Sequence, residues 1–426
     1  MLIPKPHTCK EGSVSLEPPQ TAAAPTASLW RNRNFWLLES GQTVSTLGSN
    51  ISGLAFLLLV LMLTKSPAQA GFISSLRALP FFLLAIPAGA WVDRWNRKHI
   101  LMLCDTGRAL SLASIPIAMA LGHLTLAQLY LNALIEGTLS TFFNIAATAS
   151  LPHIVSKGQL TQATGVDYVN TQTATLIGPP VGTFLYSVAQ AVPFLADAIS
   201  FLANVFALFW IKTNFQQQRP PRTRRLAHEI GEGIVWTWRH TLLRFMGLCN
   251  CGLTFVLAAN TLIVTLLAQR QHAPDAAIGL IFSIGSTGGI LGSLFANRIE
   301  QRLRFGQVIA GMFGILALLW PLYIFAPNIW TLGIITAGIF GVESIGGIIN
   351  IGYRLAITPD EFQGRVNSLH RMMGAGIGRP LGLALAGLLL QIAGTTWTIL
   401  LYGLVFVGFA LASALSAPVR NAPRPD

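Results

Sequence analysis

Charge is scarce in this sequence, and negative charge scarcest: 16 Asp and Glu stand against 28 Lys and Arg, and the four charged types make up 10% of 426 residues. A soluble domain carries roughly 25%. So few charges cannot clothe the surface of a soluble protein of this size, and 52% hydrophobic residues with 40 glycines besides point to a lipid bilayer as solvent. Cysteine is nearly absent as well. Cys9, Cys104, Cys249 and Cys251 are too scattered for a disulfide framework, and Cys249-Asn250-Cys251 lacks the spacing of a zinc or redox motif, so all four read as free thiols. No Gly-Lys-Ser/Thr loop follows any glycine cluster; Gly285, Gly288, Gly289 and Gly292 have the spacing of close helix packing instead, which leaves ATP an unexpected energy source. Neither metal-ligand spacing nor a nucleophile-base pair is visible, so no metal, cofactor or enzyme chemistry is expected. The first thirty residues hold Pro18, Pro19 and an alanine-rich stretch but no apolar run of signal-peptide length, and read as a disordered cytosolic tail.

What the chain has is long apolar runs. Crossing about 30 Å of hydrocarbon takes roughly 20 mostly apolar residues in a helix, which satisfies its own backbone amides. Twelve stretches qualify, approximately 35–63, 71–92, 100–121, 125–150, 164–188, 191–212, 244–268, 278–296, 306–326, 329–353, 366–391 and 396–418. The fold class expected is an all-α membrane protein of twelve transmembrane helices.

Loop charge orients it, because Lys and Arg resist translocation. One side collects Arg31 and Arg33, Arg94, Arg97 and Lys98, Lys157, Lys212 with the arginines up to Arg244, Arg298, Arg302 and Arg304, Arg354 and Arg365, Arg420 and Arg424; the other holds only Lys65 and Arg270. Both termini are therefore expected in the cytosol of a bacterial inner membrane. The net charge of +12 is then topology and contact with anionic lipid, not nucleic-acid binding. A polar stretch rich in proline and arginine divides the helices six and six, giving a tail 1–30, an N-terminal half 31–212, a linker 213–243, a C-terminal half 244–419 and a second tail 420–426. The halves echo each other: Ile177-Gly178-Pro179-Pro180-Val181-Gly182 answers Ile377-Gly378-Arg379-Pro380-Leu381-Gly382 at the same ordinal helix, as a duplicated transporter requires. No feature demands a second subunit, and a monomer is expected.

After the second helix comes Gly89-Ala90-Trp91-Val92-Asp93-Arg94-Trp95-Asn96-Arg97-Lys98. Here Gly89 permits close helix contact, and Asp93 can pair with Arg97 one turn on and suits the positive end of a neighbouring helix. This loop resembles the signature loop of the major facilitator superfamily. Gly178-Pro179-Pro180-Val181-Gly182 is similar to the antiporter motif of the fifth helix. Three further stretches resemble the drug and siderophore efflux branch that contains macrolide and enterobactin exporters: Pro193 to Phe201, Glu232-Gly233 with Arg239-His240, and Pro359 to Val366. The resemblance spans about residues 30–418. It implies two pseudo-symmetric six-helix halves, a central cavity lined by helices one, four, seven and ten, and a latch in which Asp93 meets the eleventh helix to shut the cytosolic side. Two departures stand out. Ala296 and Asn297 replace the acid and arginine in the second half's loop, and Ser49 stands where many branch members carry an acid.

Ionisable residues at bilayer depth are costly and so are functional candidates, with structural pairing as the alternative. Glu136 and Glu343 lie mid-way along the fourth and tenth helices and read as proton or substrate sites or as structural pairs; a buried carboxyl resists ionisation, the physical basis for proton uptake. Glu136 has no cation on its own helix and is the better proton carrier. Arg379, in the eleventh helix, either neutralises Glu343 or holds an anionic substrate. Asp105 and Arg108 share a helix face and join either the Asp93 gate network or a structural bridge. Glu39 reads as an interfacial ion pair with Arg31 or Arg33, or as a coupling residue; Asp197 as a helix-start residue at the outer surface; Arg77 as bridged or snorkelling. With these charges, the resemblance to the drug and siderophore efflux branch implies a secondary transporter that exports a small amphipathic molecule, a drug or siderophore, by alternating access against proton entry. Uptake of a siderophore or of its metal complex, and ligand sensing without turnover, remain as alternatives.

Overall fold

The structure, a computed structural model, describes residues 29–212, 215, 234–420 and 422. The tail to residue 28, most of the linker including Glu232 and Gly233, and the end of the chain after Ala422 lie outside them. Among the described residues there is no strand, and twelve long helices follow one another. They are α1 (Arg33–Thr64), α2 (Pro67–Arg94), α3 (Arg97–Ala120), α4 (Leu126–Ile154), α5 (Leu160–Val188), α6 (Val192–Trp210), α7 (Thr241–Arg270), α8 (Asp275–Arg302), α9 (Phe305–Leu319, continuing in 3-10 form over Trp320–Phe325), α10 (Ile329–Ile357), α11 and α12 (Gly394–Leu415). The eleventh has three continuous sections: Asp360–Arg371, a π-helical Met372–Gly378, and Arg379–Ile392.

Short loops carry their own caps. Asn32, Ser66, Asn96, Thr125 and Asn328 each turn a side-chain oxygen onto a free N–H of the first turn of the helix that follows. Ten of the helices are apolar enough as well as long enough to cross a bilayer on composition alone. The exceptions are α4 and α5. Each has 29 residues, ample length, but hydroxyl and amide side chains interrupt the apolar run. Those hydroxyls are satisfied inside the helix: Thr141 donates to the Gly137 carbonyl at 2.8 Å, Ser150 to Ala146 at 2.7 Å and Thr175 to Thr171 at 2.9 Å.

The packing repeats with a step of six. In the first half α1 packs on α5 and α6, α2 on α4, and α3 on α4 and α6; in the second α7 packs on α11 and α12, α8 on α10, and α9 on α10 and α12. Two seams join the halves, α2 against α11 and α5 against α8, and they exchange under the same symmetry. The repeated glycine motif does equivalent work in each half. A Cβ at Gly182 would lie 2.2 Å from the Ile51 carbonyl oxygen on α1, and one at Gly382 would lie 2.1 Å from that of Phe255 on α7. Gly178 and Gly378 meet Asn50 and Cys251 as closely, so α5 and α11 touch their neighbours backbone to backbone. Pro179 and Pro180 lie within α5, and Pro380 just past the π-helical section.

Arg33, Arg94, Arg97, Lys98, Arg302 and Arg304 share one end of the bundle, the basic end. The seams close at the opposite end, where Gly71 of α2 meets Gly387 of α11, Ser66 Oγ donates to Gln391 Oε1 at 3.0 Å, and Thr183 of α5 donates to the Ala276 carbonyl of α8 at 3.3 Å. Toward the basic end α2 and α5 stand clear. Trp91 and Trp95 are exposed, as are most side chains from Thr161 to Thr175. Gly89, expected to permit close helix contact, has open space instead: a Cβ there would meet nothing within 4 Å, because no helix covers it in this conformation.

Candidate functional site

The N-terminal half encloses a network of charge. Arg108 of α3 is buried and reaches Glu136 of α4 with two of its nitrogens, Nη2 at 2.7 Å and Nε at 3.1 Å. Its Nη1 meets Asp105 at 3.3 Å and its Nη2 donates to Ser49 Oγ at 3.2 Å. The guanidinium lies 3.9 Å from the centre of the Phe201 ring, a cation-π contact in a dry setting. Arg77 of α2 adds a second guanidinium on Glu136 at 3.2 Å and keeps 30% of its side chain exposed. Two expectations change. Glu136 is held by cations from two neighbouring helices, so its charge is met by guanidinium and not by a proton. Asp105 and Arg108 have all their partners within the bundle and none in the α2–α3 loop, so they belong to this network and not to the Asp93 gate.

Asp197 is not a helix-start residue at the surface. It is wholly buried, accepting from Ser52 Oγ at 2.5 Å and from Ser200 Oγ at 3.2 Å. One turn and then two further along α6, Ser200 and Asn204 are buried on the same face, and Asn204 Nδ2 donates to Asp105 at 2.6 Å. Gly41 and Gly48 on α1 clear the space: a Cβ at Gly48 would fall 2.1 Å from Ser200 Oγ. Sequence reasoning missed this stripe. Its signal was Asp197, Ser200 and Asn204 at helical spacing in an otherwise apolar helix. Glu39 too departs from expectation, being 2% exposed between α1 and α5 and accepting from Asn170 Nδ2 at 2.7 Å, with no bridge to Arg31 or Arg33 among the described residues.

In the second half the expected Glu343–Arg379 pair does not form. Neither has an ion-pair or hydrogen-bond partner among the described residues; Glu343 is half-buried and Arg379 exposed. Arg379 precedes Leu383 and Gly387 by one and two turns, so it shares the face of α11 that touches Gly71 of α2. From there it faces Arg77, whose charge it feels across the seam. α10 packs on α8 and α9 while α11 packs on α7 and α2, so similar depth does not bring Glu343 and Arg379 together.

The α2–α3 loop is tied down locally. Arg97 Nη1 donates to the Ala149 carbonyl at 2.7 Å and its Nη2 to Asp93 at 3.2 Å, while Lys98 Nζ donates to the Phe209 and Ile211 carbonyls at 3.1 and 2.8 Å and so caps the end of α6. Arg94 is exposed, and the Asp93 side chain is 71% exposed.

Solved structures share this architecture. The chain superposes on a point mutant of the nucleoside transporter NupG with a TM-score of 0.74 at 14% identity, over 89% of this chain and 99% of that one. A bacterial homolog of the human lysosomal transporter Spinster, in an inward-facing and unoccupied conformation, gives 0.68 at 14% identity, over 91% and 98%. The fold is that of a major facilitator transporter. The sequence profile of the transmembrane secretion effectors, a family within that superfamily, matches residues 23–376, and the chain belongs to that family. Among relatives, the uncharacterized MFS-type transporter YfiS of Bacillus subtilis (strain 168) is 25% identical over 93% of this chain and 96% of its own. The enterobactin exporter EntS of Citrobacter koseri is 22% identical over 89% and 94%. The protein is a membrane transporter and not an enzyme.

Proposed function

We propose that this transporter exports an anionic, amphipathic organic molecule across a bacterial inner membrane in exchange for protons, with the basic end toward the cytosol. The observation that carries the reading is Arg379: an exposed guanidinium without a partner among the described residues, deep between the halves and opposite Arg77. A charge kept at that depth is costly unless function retains it. A guanidinium suits carboxylate or other planar oxyanion groups through paired hydrogen bonds. The space between the seams is open at the basic end, where a cytosolic solute would enter, and likeness to an enterobactin exporter supports a siderophore-like cargo. The excess of basic side chains in the loops at that end supports a cytosolic orientation.

Enterobactin uptake into everted membrane vesicles under an imposed pH gradient is the test. Arg379→Gln is expected to lower that uptake about tenfold, the ~1.4 kcal/mol end of a charged hydrogen bond, with no loss of folded protein because nothing is left unpaired. Arg379→Lys should recover part of it. Undiminished uptake by Arg379→Gln would remove the anion-site assignment.

The loop bears on the cycle. In the Asp93–Arg97 pair Arg97 is buried but the Asp93 carboxylate is 71% exposed, and a carboxylate so open to water adds only about 0–1 kcal/mol to stability. Asp93→Asn is therefore expected to leave the unfolding temperature within a degree or two while cutting transport severalfold, because its charge matters when the basic end shuts. Wild-type transport in that variant would remove the latch role.

A further inference from the structure

We infer that the buried network of the N-terminal half carries one exchangeable proton, and that Asp197 is the carboxyl that holds it. This rests on the reading of the chain as a proton-coupled transporter. Five charged groups form one electrostatic cluster: Asp105 and Arg108 on α3, Glu136 on α4, Arg77 on α2 and Asp197 on α6. Three carboxyls face two guanidiniums, so full ionisation would leave one negative charge uncompensated in the protein interior, which costs several kcal/mol.

Geometry says which acid is in excess. Arg108 touches Glu136 and Asp105, and Arg77 touches Glu136. Among the described residues Asp197 touches no cation, only the hydroxyls of Ser52 and Ser200. Nor is either hydroxyl obliged to serve a carboxylate. Ser200 Oγ also donates to the Asp197 backbone carbonyl, at 2.7 Å, and Ser52 Oγ lies 3.4 Å from the Ser49 carbonyl. Each hydroxyl has a single hydrogen. Both hydroxyls lie within reach of the Asp197 carboxyl oxygens, so what the pocket offers this acid is neutral hydroxyl contact and no counter-ion. Asn204 completes the setting: 0% exposed, its Oδ1 is without a partner among the described residues while its Nδ2 is spent on Asp105. The neighbours of Asp197 on α1 are serine and glycine, and the acids and arginines around it are those already named.

The position also gives the proton a consequence. Arg108 feels Asp197 as well as Glu136 and Asp105. When the proton leaves Asp197 for water, the new carboxylate competes for Arg108, and Glu136 leans more heavily on Arg77. Arg77 is the member of the network that reaches the open space facing Arg379. A proton on α6 is thereby linked to the charge offered to an anion between the halves, although the Asp197 side chain lies outside the open space, wholly buried.

Infrared difference spectroscopy on the full chain in lipid at neutral pH tests this without any substrate. The wild-type minus Asp197→Asn spectrum is expected to contain the carbonyl stretch of a protonated carboxylic acid, and the same band should be lost from the wild type on raising the pH. Asp105→Asn should keep it. Carboxylate bands alone in that difference, or loss of the acid band in Asp105→Asn, would overturn the assignment. Should Asp197→Asn not fold, Asp197→Glu serves: it keeps an acid band at a displaced frequency if the site is protonated, and an unmoved band overturns the inference. Enterobactin uptake that ignores the pH gradient in wild-type vesicles would count against proton coupling itself, a separate failure from that of the infrared test.

Discussion

Arg108→Met is expected to destabilise the N-terminal half by about 3–5 kcal/mol, the cost of leaving a buried partner charge without its counter-ion. Glu136 and Asp105 would both lose the guanidinium that now lies within 2.7 and 3.3 Å of them. Arg77 cannot replace it, since it approaches Glu136 from α2 and is itself partly solvated. At that cost little folded protein should survive extraction. The rescue is as informative as the loss: Arg108→Met combined with Glu136→Gln removes one of the two stranded charges along with the cation and leaves Asp105, so a partial recovery is expected, since buried ion pairs replaced by neutral groups are often close to neutral in stability. Thermal unfolding followed by tryptophan fluorescence checks both. A single variant as stable as the wild type, or a double variant no better than the single, would mean that Arg108 does not hold this half together.

The second large effect concerns the seam between halves. A Cβ at Gly71 would lie 2.6 Å from the Leu383 carbonyl oxygen and 2.7 Å from the Gly387 Cα, so the obstacle is backbone and cannot swing aside. Gly71→Val is expected to force the opposite end apart. Overpacking of this kind costs about 1–3 kcal/mol, which at 1.4 kcal/mol per decade shifts the balance between conformations by roughly 5- to 150-fold. Spin labels introduced by Ser66→Cys and Gln391→Cys, replacing two side chains now 3.0 Å apart, should report a longer distance with Gly71→Val than without it. An unchanged distance distribution would show that the seam tolerates the side chain.

Much of this architecture was legible because a bilayer limits the choices. The thickness of hydrocarbon sets helix length, so the stretch expected at 396–418 is Gly394–Leu415, and the pause between the fifth and sixth helices falls at Ala189–Ala191. Depth was legible too, which is why Glu136 and Glu343 stood out. Depth is one coordinate of three. Arg108 stands 13 residues before Leu121 and Glu136 stands 11 after Thr125, at nearly equal distance from one helical hairpin, and that arithmetic alone would have paired them. Asp197 escaped for a different reason. Its burial depends on small residues at Gly41 and Gly48 of α1, in a contact between helices far apart in the chain, which no local pattern reveals.

The π-helical stretch of α11 has a consequence for helical phase. An α-helix turns about 100° per residue. In Met372–Gly378 the bonding reaches one residue further, as where the Arg379 N–H meets the Gly374 carbonyl, so the stretch absorbs an additional residue within its turns. Everything after it is therefore out of step with Asp360–Arg371 by on the order of 100°. That slip lets the first section stack Phe362 on Trp236 while the third lays Gly387 on Gly71, two alignments that one uninterrupted period could not serve together. Arg379 is the first residue beyond the slip. Its bearing toward α2 is thus set by the register of a glycine-rich run with few side chains of its own, and a register change of a single residue there would re-aim the charge between the halves without altering any residue that bears it.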